Sequence, residues 1–211
     1  MAGDDQGEGR SAQKRRAILA AARDIFLSKG YAGTSMDEVA EIAAVSKQTV
    51  YKQFGAKQSL FETIVTEDIE ATARTTQDMV TALGSSEQLE RDLRRFARQH
   101  VADLTQPDLL RLRRLIVAEA DRFPDLARTW FAHGPERGHA LLAEQLETLA
   151  RRGLLTIDDA LLAAEHLNWL IVSIPLNKAM LLGGQTTFRA KELNRYADEG
   201  IRIFLAGYGA R

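Results

Sequence analysis

Apolar residues recur every three or four positions along most of the chain, which is the spacing of an amphipathic α-helix. In the first such segment Ile18, Ala22, Ile25 and Phe26 fall on one helical face, and Gly30 follows where a helix commonly ends. Short alternating patterns typical of strands are scarce. The pattern predicts an all-α fold of about nine helices, at 11–29, 36–43, 47–53, 57–83, 87–105, 108–122, 125–152, 158–182 and 189–208. We expect Gly134-Pro135 to interrupt or kink the segment at 125–152.

Residues 1–10 precede the first apolar positions and are acidic, glycine-rich and polar, so we expect a disordered tail. They contain no apolar signal core, and no apolar run in the chain reaches the length of a membrane span. The chain has no cysteine, which excludes disulfide frameworks and thiolate metal sites. These features predict a cytoplasmic protein with no membrane partner.

Two short helices near the N-terminus are separated by a three-residue turn. Ser35 followed by Glu38 is a capping box that begins the first of them, and Ser46 is placed to cap the second. The second helix directs Val50 and Phe54 to one side and polar side chains to the other. This arrangement predicts a helix-turn-helix motif at about residues 35–54. An ordinary helical hairpin with a solvated polar face is the alternative.

The formal charge of −1 conceals an uneven distribution along the chain. Residues 1–9 carry −3, residues 10–57 carry +5, and residues 58–211 carry −3. A basic segment ahead of a mildly acidic body favours a small anion-binding module joined to a larger domain, although chance clustering gives the same numbers.

The polar face of the second short helix supplies the candidate DNA contacts. A short helix fits the major groove, where Gln48 can pair with adenine and Lys47 with guanine. Thr49, Tyr51 and Lys52, together with Lys57, are placed to reach phosphate oxygens. The complete set of expected DNA-binding residues is Thr34, Ser35, Ser46, Lys47, Gln48, Thr49, Tyr51, Lys52 and Lys57.

The stretch from Phe26 to Phe54, FLSKGYAGTSMDEVAEIAAVSKQTVYKQF, followed by Lys57 and Leu60-Phe61, resembles the DNA-binding domain of TetR-family transcriptional regulators. The resemblance implies a DNA-binding domain at residues 11–71 and a ligand-binding, dimerising domain at 72–211. Ala44 departs from the family pattern, which usually has glycine in the turn, so we expect strain there. The segment from Arg114 to Leu126, with Gly134-Pro135 beyond it, resembles the AefR-like subgroup.

Aromatic residues with few polar neighbours mark a candidate pocket in the second domain, since small-molecule sites combine apolar walls with a few polar groups. The alternative for each residue is ordinary core. The expected pocket residues are Phe96, His100, Phe123, Trp130, Phe131, Asn168 and Trp169.

Helix 158–182 is apolar on nearly every side and must be buried on several of them. The family resemblance implies a four-helix dimer interface that this helix and helix 189–208 build with their copies in a second subunit. Gly200 lies inside the last helix, where a close helix crossing would justify it. The expected interface residues are Leu167, Leu170, Ile171, Ile174, Gly200, Ile201 and Phe204.

The sequence shows no pattern typical of a metal site or a catalytic centre. The four histidines, His100, His133, His139 and His166, lack the spacing of a metal site on one helix, and no catalytic motif is present. Two arginine clusters, at residues 91–98 and 111–114, are interspersed with acidic residues and are predicted to be ion-paired surface.

The sequence therefore predicts a homodimeric transcriptional regulator, a repressor relieved by a small ligand, with double-stranded DNA as its partner and no cofactor, metal or catalytic activity. The alternative is an all-α small-molecule-binding protein or enzyme that does not bind DNA.

Overall fold

The computed structural model describes residues 4–183 and 188–210, with side chains from Gly9 onward except those of residues 72–76. All regular elements within these ranges are helical, and a single isolated bridge joins Leu155 and Gly209. The described residues form ten α-helices: α1 (Asp4–Gly33), α2 (Met36–Ile42), α3 (Lys47–Phe54), α4 (Lys57–Leu83), α5 (Leu89–Leu104), α6 (Pro107–Glu119), α7 (Pro124–Phe131), α8 (Arg137–Arg151), α9 (Ala160–Leu182) and α10 (Ala190–Tyr208).

The N-terminal stretch is more ordered than its composition predicts. Helix α1 begins at Asp4 rather than at Ser11, so the prediction of a disordered tail is wrong for residues 4–10, while residues 1–3 lie outside the described part. Extending an existing helix adds one hydrogen bond per residue, and acidic residue types are favoured at a helix N-terminus.

The predicted helix at 125–152 is two helices. A π-helical turn, Ala132–Glu136, separates α7 from α8 and contains Pro135. Proline has no backbone N–H to donate within a helix, which explains the interruption. The break at Gly134-Pro135 is confirmed, and the total rises from the nine helices predicted to the ten described.

The chain divides into two compact units. The N-terminal unit comprises Met1–Asp68 and Leu115–Ala127, and the C-terminal unit comprises Ile69–Arg114 and Arg128–Arg211. The sequence predicts a boundary at residue 71 and assigns residues 115–127 to the second domain. The N-terminal unit thus recruits a segment that lies far beyond it in the chain.

A single apolar core holds the N-terminal helices together. Helices α1, α2 and α3 each contribute buried apolar residues at helical spacing. The first turns of α4 add further buried residues to this core. Residues contributing to this core include Ile18, Ala22, Ile25, Phe26, Val39, Ala40, Val50, Phe54, Leu60 and Phe61.

The C-terminal unit is a helical bundle whose core joins α5, α8, α9 and α10. Helices α9 and α10 cross closely at Gly200, because a Cβ atom there would lie 3.1 Å from the carbonyl oxygen of Leu170. A side chain at this position would force the two helices apart. The close crossing expected at Gly200 is therefore present, and it lies within one subunit.

Candidate nucleic-acid interface and ligand site

The helix-turn-helix is defined by side-chain caps at both helix starts. The Ser35 hydroxyl accepts a hydrogen bond from the backbone N–H of Glu38 at 3.2 Å, and the Ser46 hydroxyl accepts one from Thr49 at 3.2 Å. Such caps satisfy backbone donors that a helix leaves free in its first turn. The predicted starts of α2 and α3 are confirmed.

The turn between α2 and α3 contains the strained residue that the sequence predicts. Ala44 has a φ of 52°, and it is the one described residue other than glycine with a positive φ. A Cβ atom makes this left-handed conformation unfavourable by about 1–2 kcal/mol. Ala44 therefore holds the left-handed conformation that a glycine would adopt at lower cost.

We expect the substitution Ala44→Gly to raise the free energy of unfolding by up to about 1 kcal/mol, because relief of strain exceeds glycine's entropic cost of about 0.5–1 kcal/mol. Thermal and urea unfolding measure the change. The matched control is Ala43→Gly, since Ala43 has an ordinary φ of −73° and gains no relief. A loss of stability in both variants would contradict the strain at Ala44.

The outer face of α3 is open to solvent in the structure. Lys47, Gln48, Tyr51 and Lys52 are exposed, whereas Val50 and Phe54 are buried beneath them. The Lys47 ammonium forms an ion pair with a carboxylate oxygen of Asp37 on α2 at 2.7 Å, and this hydrogen-bonded partner raises the pKa of Lys47. The face can present an amide and two cations to a nucleic acid, and their DNA contacts stay predictions.

Lys57 occupies a more enclosed position than the sequence predicts. Its ammonium donates hydrogen bonds to the carbonyl oxygens of Tyr31 and Thr34, both at 2.9 Å, and lies 4.5 Å from the centre of the Tyr31 ring. The carbonyl groups at the end of α1 thus gain a charged donor. Contact between Lys57 and phosphate stays a prediction, but the residue also has a structural role that sequence spacing did not indicate.

Thr34 is not available as a side-chain contact to DNA. It is buried, and its hydroxyl donates a hydrogen bond to the Gly30 carbonyl oxygen at 2.8 Å. Gly30 itself has a φ of 72°, which breaks the regular helix at this point and leaves its carbonyl in need of a donor. The prediction for Thr34 is corrected: the residue fastens the end of α1.

An aromatic cluster beneath the Lys57 ammonium contains one of the residues predicted to line the ligand pocket. The ring centre of Phe123 lies 4.6 Å from that of Tyr31 and 6.3 Å from that of Phe61. The Arg122 guanidinium lies 5.0 Å from the Tyr31 ring centre, in addition to Lys57. Burial raises the pKa of the Tyr31 phenol. Phe123 therefore packs against aromatic rings of the N-terminal unit, and its assignment to the pocket stays a prediction.

Three of the predicted pocket residues come together in the C-terminal unit. The rings of Phe96 and His100 stack with their centres 5.2 Å apart, and His100 Nε2 lies 2.9 Å from the Asn168 side-chain oxygen. Burial lowers the pKa of His100, which favours the neutral form of its ring. The neighbouring Asp103 has one carboxylate oxygen that is buried without a protein partner. Phe96, His100, Asn168 and Asp103 thus combine an aromatic ring with hydrogen-bonding atoms within the helical bundle.

The other predicted pocket residues lie elsewhere. Trp130 has the Arg113 guanidinium 4.8 Å from its ring centre. Phe131 is 55% exposed and Trp169 is 47% exposed, so neither is enclosed by its own subunit. Aromatic content alone could not separate these positions, because ring-bearing residues serve in cores, pockets and interfaces alike.

The predicted interface residues divide into two sets. Leu170 and Ile174 are exposed on α9, as an interface between subunits requires. The remaining residues face the core of their own unit and are corrected to core residues: Leu167, Ile171, Gly200, Ile201 and Phe204. A helix that is apolar all round does not reveal from its sequence which side faces inward.

The arginine cluster on α5 is an ion-paired surface, as predicted. Arg94 pairs with Glu90 at 2.6 Å, and Arg98 forms two hydrogen bonds of 2.8 Å with Asp198 of α10. Exposed pairs of this kind contribute little to stability and offer few unpaired charges to a second anion.

A basic segment at residues 10–57 with a capped helix-turn-helix and an exposed polar recognition face, in a chain with a larger helical unit, defines a DNA-binding protein of the helix-turn-helix class. Residues 18–64 match the family model of bacterial regulatory proteins of the tetR family. Residues 91–210, more than half of the chain, match the model of the AefR-like transcriptional repressor C-terminal domain. The chain therefore belongs to the TetR family of transcriptional regulators.

Solved structures agree over nearly the whole chain. A TetR-family regulator from Mesorhizobium loti is 43% identical with a TM-score of 0.89, covering 95% of this chain and 99% of that one. The flavonoid-responsive regulator FrrA is 30% identical with a TM-score of 0.76 and the same coverages.

The curated relatives match over a shorter stretch. The transcriptional activator FasR of Mycolicibacterium smegmatis is 39% identical over 49 residues, which are 23% of this chain and 22% of that protein. The regulator RutR of Escherichia coli is 42% identical over 48 residues, 23% of each chain. The chain thus spans about a quarter of the length of the curated relatives it matches. No helix in the described part of the chain is long and apolar enough to cross a membrane.

Proposed function

We propose that this regulator is a homodimeric repressor that binds a palindromic operator through α3 and is released when a small molecule binds the C-terminal unit. It acts on DNA in the cytoplasm and has no catalytic step. The observation that carries the proposal is the exposed polar face of α3, which begins at the Ser46 cap within the basic segment 10–57. The N-terminal residues of a recognition helix are the ones that meet base edges.

The outer face of α9 supports the proposed dimer. Leu162, Trp169, Leu170, Ile174 and Leu181 are each more than a third exposed, and at 100° per residue they share one side of the helix. An exposed apolar surface of this kind is typical of a protein–protein interface. Two subunits joined here would place two copies of α3 for a two-fold symmetric site, with successive major grooves about 34–36 Å apart.

Regulation by a ligand is supported by the polar group within the C-terminal bundle. His100, Asn168 and Asp103 bring hydrogen-bonding atoms into an otherwise apolar interior, and Phe96 adds a flat surface beside them. FrrA, which is 30% identical along almost the whole chain, is a flavonoid-responsive regulator. A ligand can release the operator only if it binds one conformation of the dimer more tightly than the other.

We expect the purified protein to select a palindromic sequence from fragmented genomic DNA. The variant Gln48→Ala should relax this selection, because loss of the bidentate contact to adenine removes about 1–3 kcal/mol of discrimination. Binding to scrambled DNA should change little. Titrations on the selected site and a scrambled site measure both quantities.

Gln58→Ala is the matched control, since Gln58 is exposed on α4 outside the recognition face. Failure of the wild-type protein to bind any DNA at low salt would instead favour a small-molecule-binding protein without DNA binding. An unchanged sequence preference in Gln48→Ala would contradict the docking of α3 proposed above.

A further inference from the structure

Helix α6 carries three arginines, and one of them differs from the others. Arg111 pairs with Asp108 at 3.1 Å, and Arg114 donates to the Ala179 carbonyl oxygen at 3.1 Å. The Arg113 guanidinium lies 4.8 Å from the Trp130 ring centre and contacts no carboxylate or carbonyl oxygen within the described residues. Its five N–H donors thus have an aromatic face beside them and no anion.

The Arg113 side chain is partly enclosed by its surroundings. It precedes the buried Ile116 by three residues on α6, so the two side chains lie on neighbouring parts of the helix surface. The Arg113 side chain is half-buried, and desolvation lowers the pKa of its guanidinium. Holding such a charge without a counter-ion is unfavourable, and an ordinary apolar residue would avoid this penalty.

We propose that Arg113 and Trp130 form an anion-binding ligand site of the C-terminal unit, and that the ligand is a small aromatic compound carrying an oxyanion, either a carboxylate or an ionised phenol. The planar guanidinium fork matches an oxyanion geometrically and binds it with charge-assisted hydrogen bonds. The indole beneath it offers a flat apolar surface to the body of the ligand. The regulatory consequence rests on the function proposed above, whereas the binding itself does not.

The first test needs no ligand. Arg113→Met keeps the length and apolar stem of the side chain but removes the unpaired charge, so we expect a melting temperature equal to or above that of the wild-type protein. Arg114→Met is the matched comparison on the same helix, and it should melt at a lower temperature because the Ala179 carbonyl loses its donor. If Arg113 instead had a structural role, the Arg113→Met variant would melt at a lower temperature than the wild-type protein. An equal loss of stability in both variants would overturn the proposal.

The second test measures binding with 2-naphthoate and 7-hydroxyflavone as probes, each compared with a neutral analogue, 2-naphthamide and 7-methoxyflavone. A Trp169→Phe background leaves Trp130 as the single tryptophan, so its fluorescence reports occupancy. We expect at least one anionic probe to bind at least about tenfold more tightly than its neutral analogue. The probe that binds identifies the oxyanion as carboxylate or phenolate.

The arginine variants assign that preference to a residue. Arg113→Met should remove the preference, Arg113→Lys should restore part of it, and Arg111→Met should leave it unchanged. Equal binding of anionic and neutral compounds, a preference that survives Arg113→Met, or no binding at roughly 1 mM probe would each overturn the proposal. Operator binding is measured separately on the wild-type protein, so a failure to bind DNA would count against the proposed function and leave the anion result standing.

Discussion

Ile174→Glu should convert the dimer to monomers of 23.4 kDa and weaken operator binding at least about 100-fold. Ile174 is 52% exposed on the apolar face of α9, so in a symmetric dimer each subunit would bury a carboxylate against apolar side chains. An unpaired charge in such a place is strongly unfavourable, and the two-fold axis places two of them in one interface. Light scattering gives the mass, and titration of the operator gives the affinity.

Leu161→Glu is the control for this substitution. Leu161 is 49% exposed on the same helix, but helical geometry turns it away from the face that contains Ile174. Its variant should remain dimeric and bind the operator normally. A soluble, dimeric Ile174→Glu protein would show that the subunits associate through another surface.

Lys57→Met is expected to affect both stability and DNA binding. Its ammonium donates to two carbonyl oxygens at the end of α1, so its removal should lower the free energy of unfolding by about 1.5–3 kcal/mol. Loss of one phosphate contact in each subunit should also make DNA binding less sensitive to salt. In a plot of log affinity against log salt concentration, the magnitude of the slope should fall by about two. Specific and scrambled DNA should be affected alike. Urea unfolding and titrations at several salt concentrations measure the two effects.

Lys52→Met is the control that distinguishes phosphate binding from stabilisation of the fold. Lys52 is exposed on α3, so its variant should flatten the salt dependence without lowering the free energy of unfolding. If Lys57→Met lowered stability but left the salt dependence intact, the residue would be structural alone. If it changed sequence preference, the docking of the N-terminal unit would need revision.

The features that the sequence predicted correctly are determined by neighbours in the chain. The caps at Ser35 and Ser46, the break at Pro135 and the strained turn at Ala44 each depend on the chemistry of a few consecutive residues. Such features can be predicted from sequence because their chemistry is local. A hydroxyl three residues before a free backbone N–H caps a helix, and a proline, which has no N–H, interrupts one, whatever surrounds them.

The features that escaped sequence reasoning are contacts between distant positions. Lys57 meets carbonyl groups more than twenty residues earlier, and Phe123 packs on Tyr31 across about ninety positions of chain. Arg113 lies three residues before the isoleucine at 116 on the same helix, and a charged residue beside an apolar position was the available sequence signal for it. Which side of α9 faces inward depends on the crossing with α10, and periodicity in an all-round apolar helix carries no such information.

The recruitment of residues 115–127 into the N-terminal unit sets a rule for engineering chimeric regulators. A graft that transfers residues 1–71 to a foreign effector domain leaves Phe123 and Arg122 behind. The rings of Tyr31 and Phe61 then lose the aromatic neighbour that lies 4.6 Å and 6.3 Å from them, and a hydrophobic gap opens beside Lys57. A DNA-binding unit that is transferred to another protein must therefore include residues 115–127 as well as residues 1–68. Otherwise the acceptor domain must supply an aromatic residue that packs against Tyr31 and Phe61.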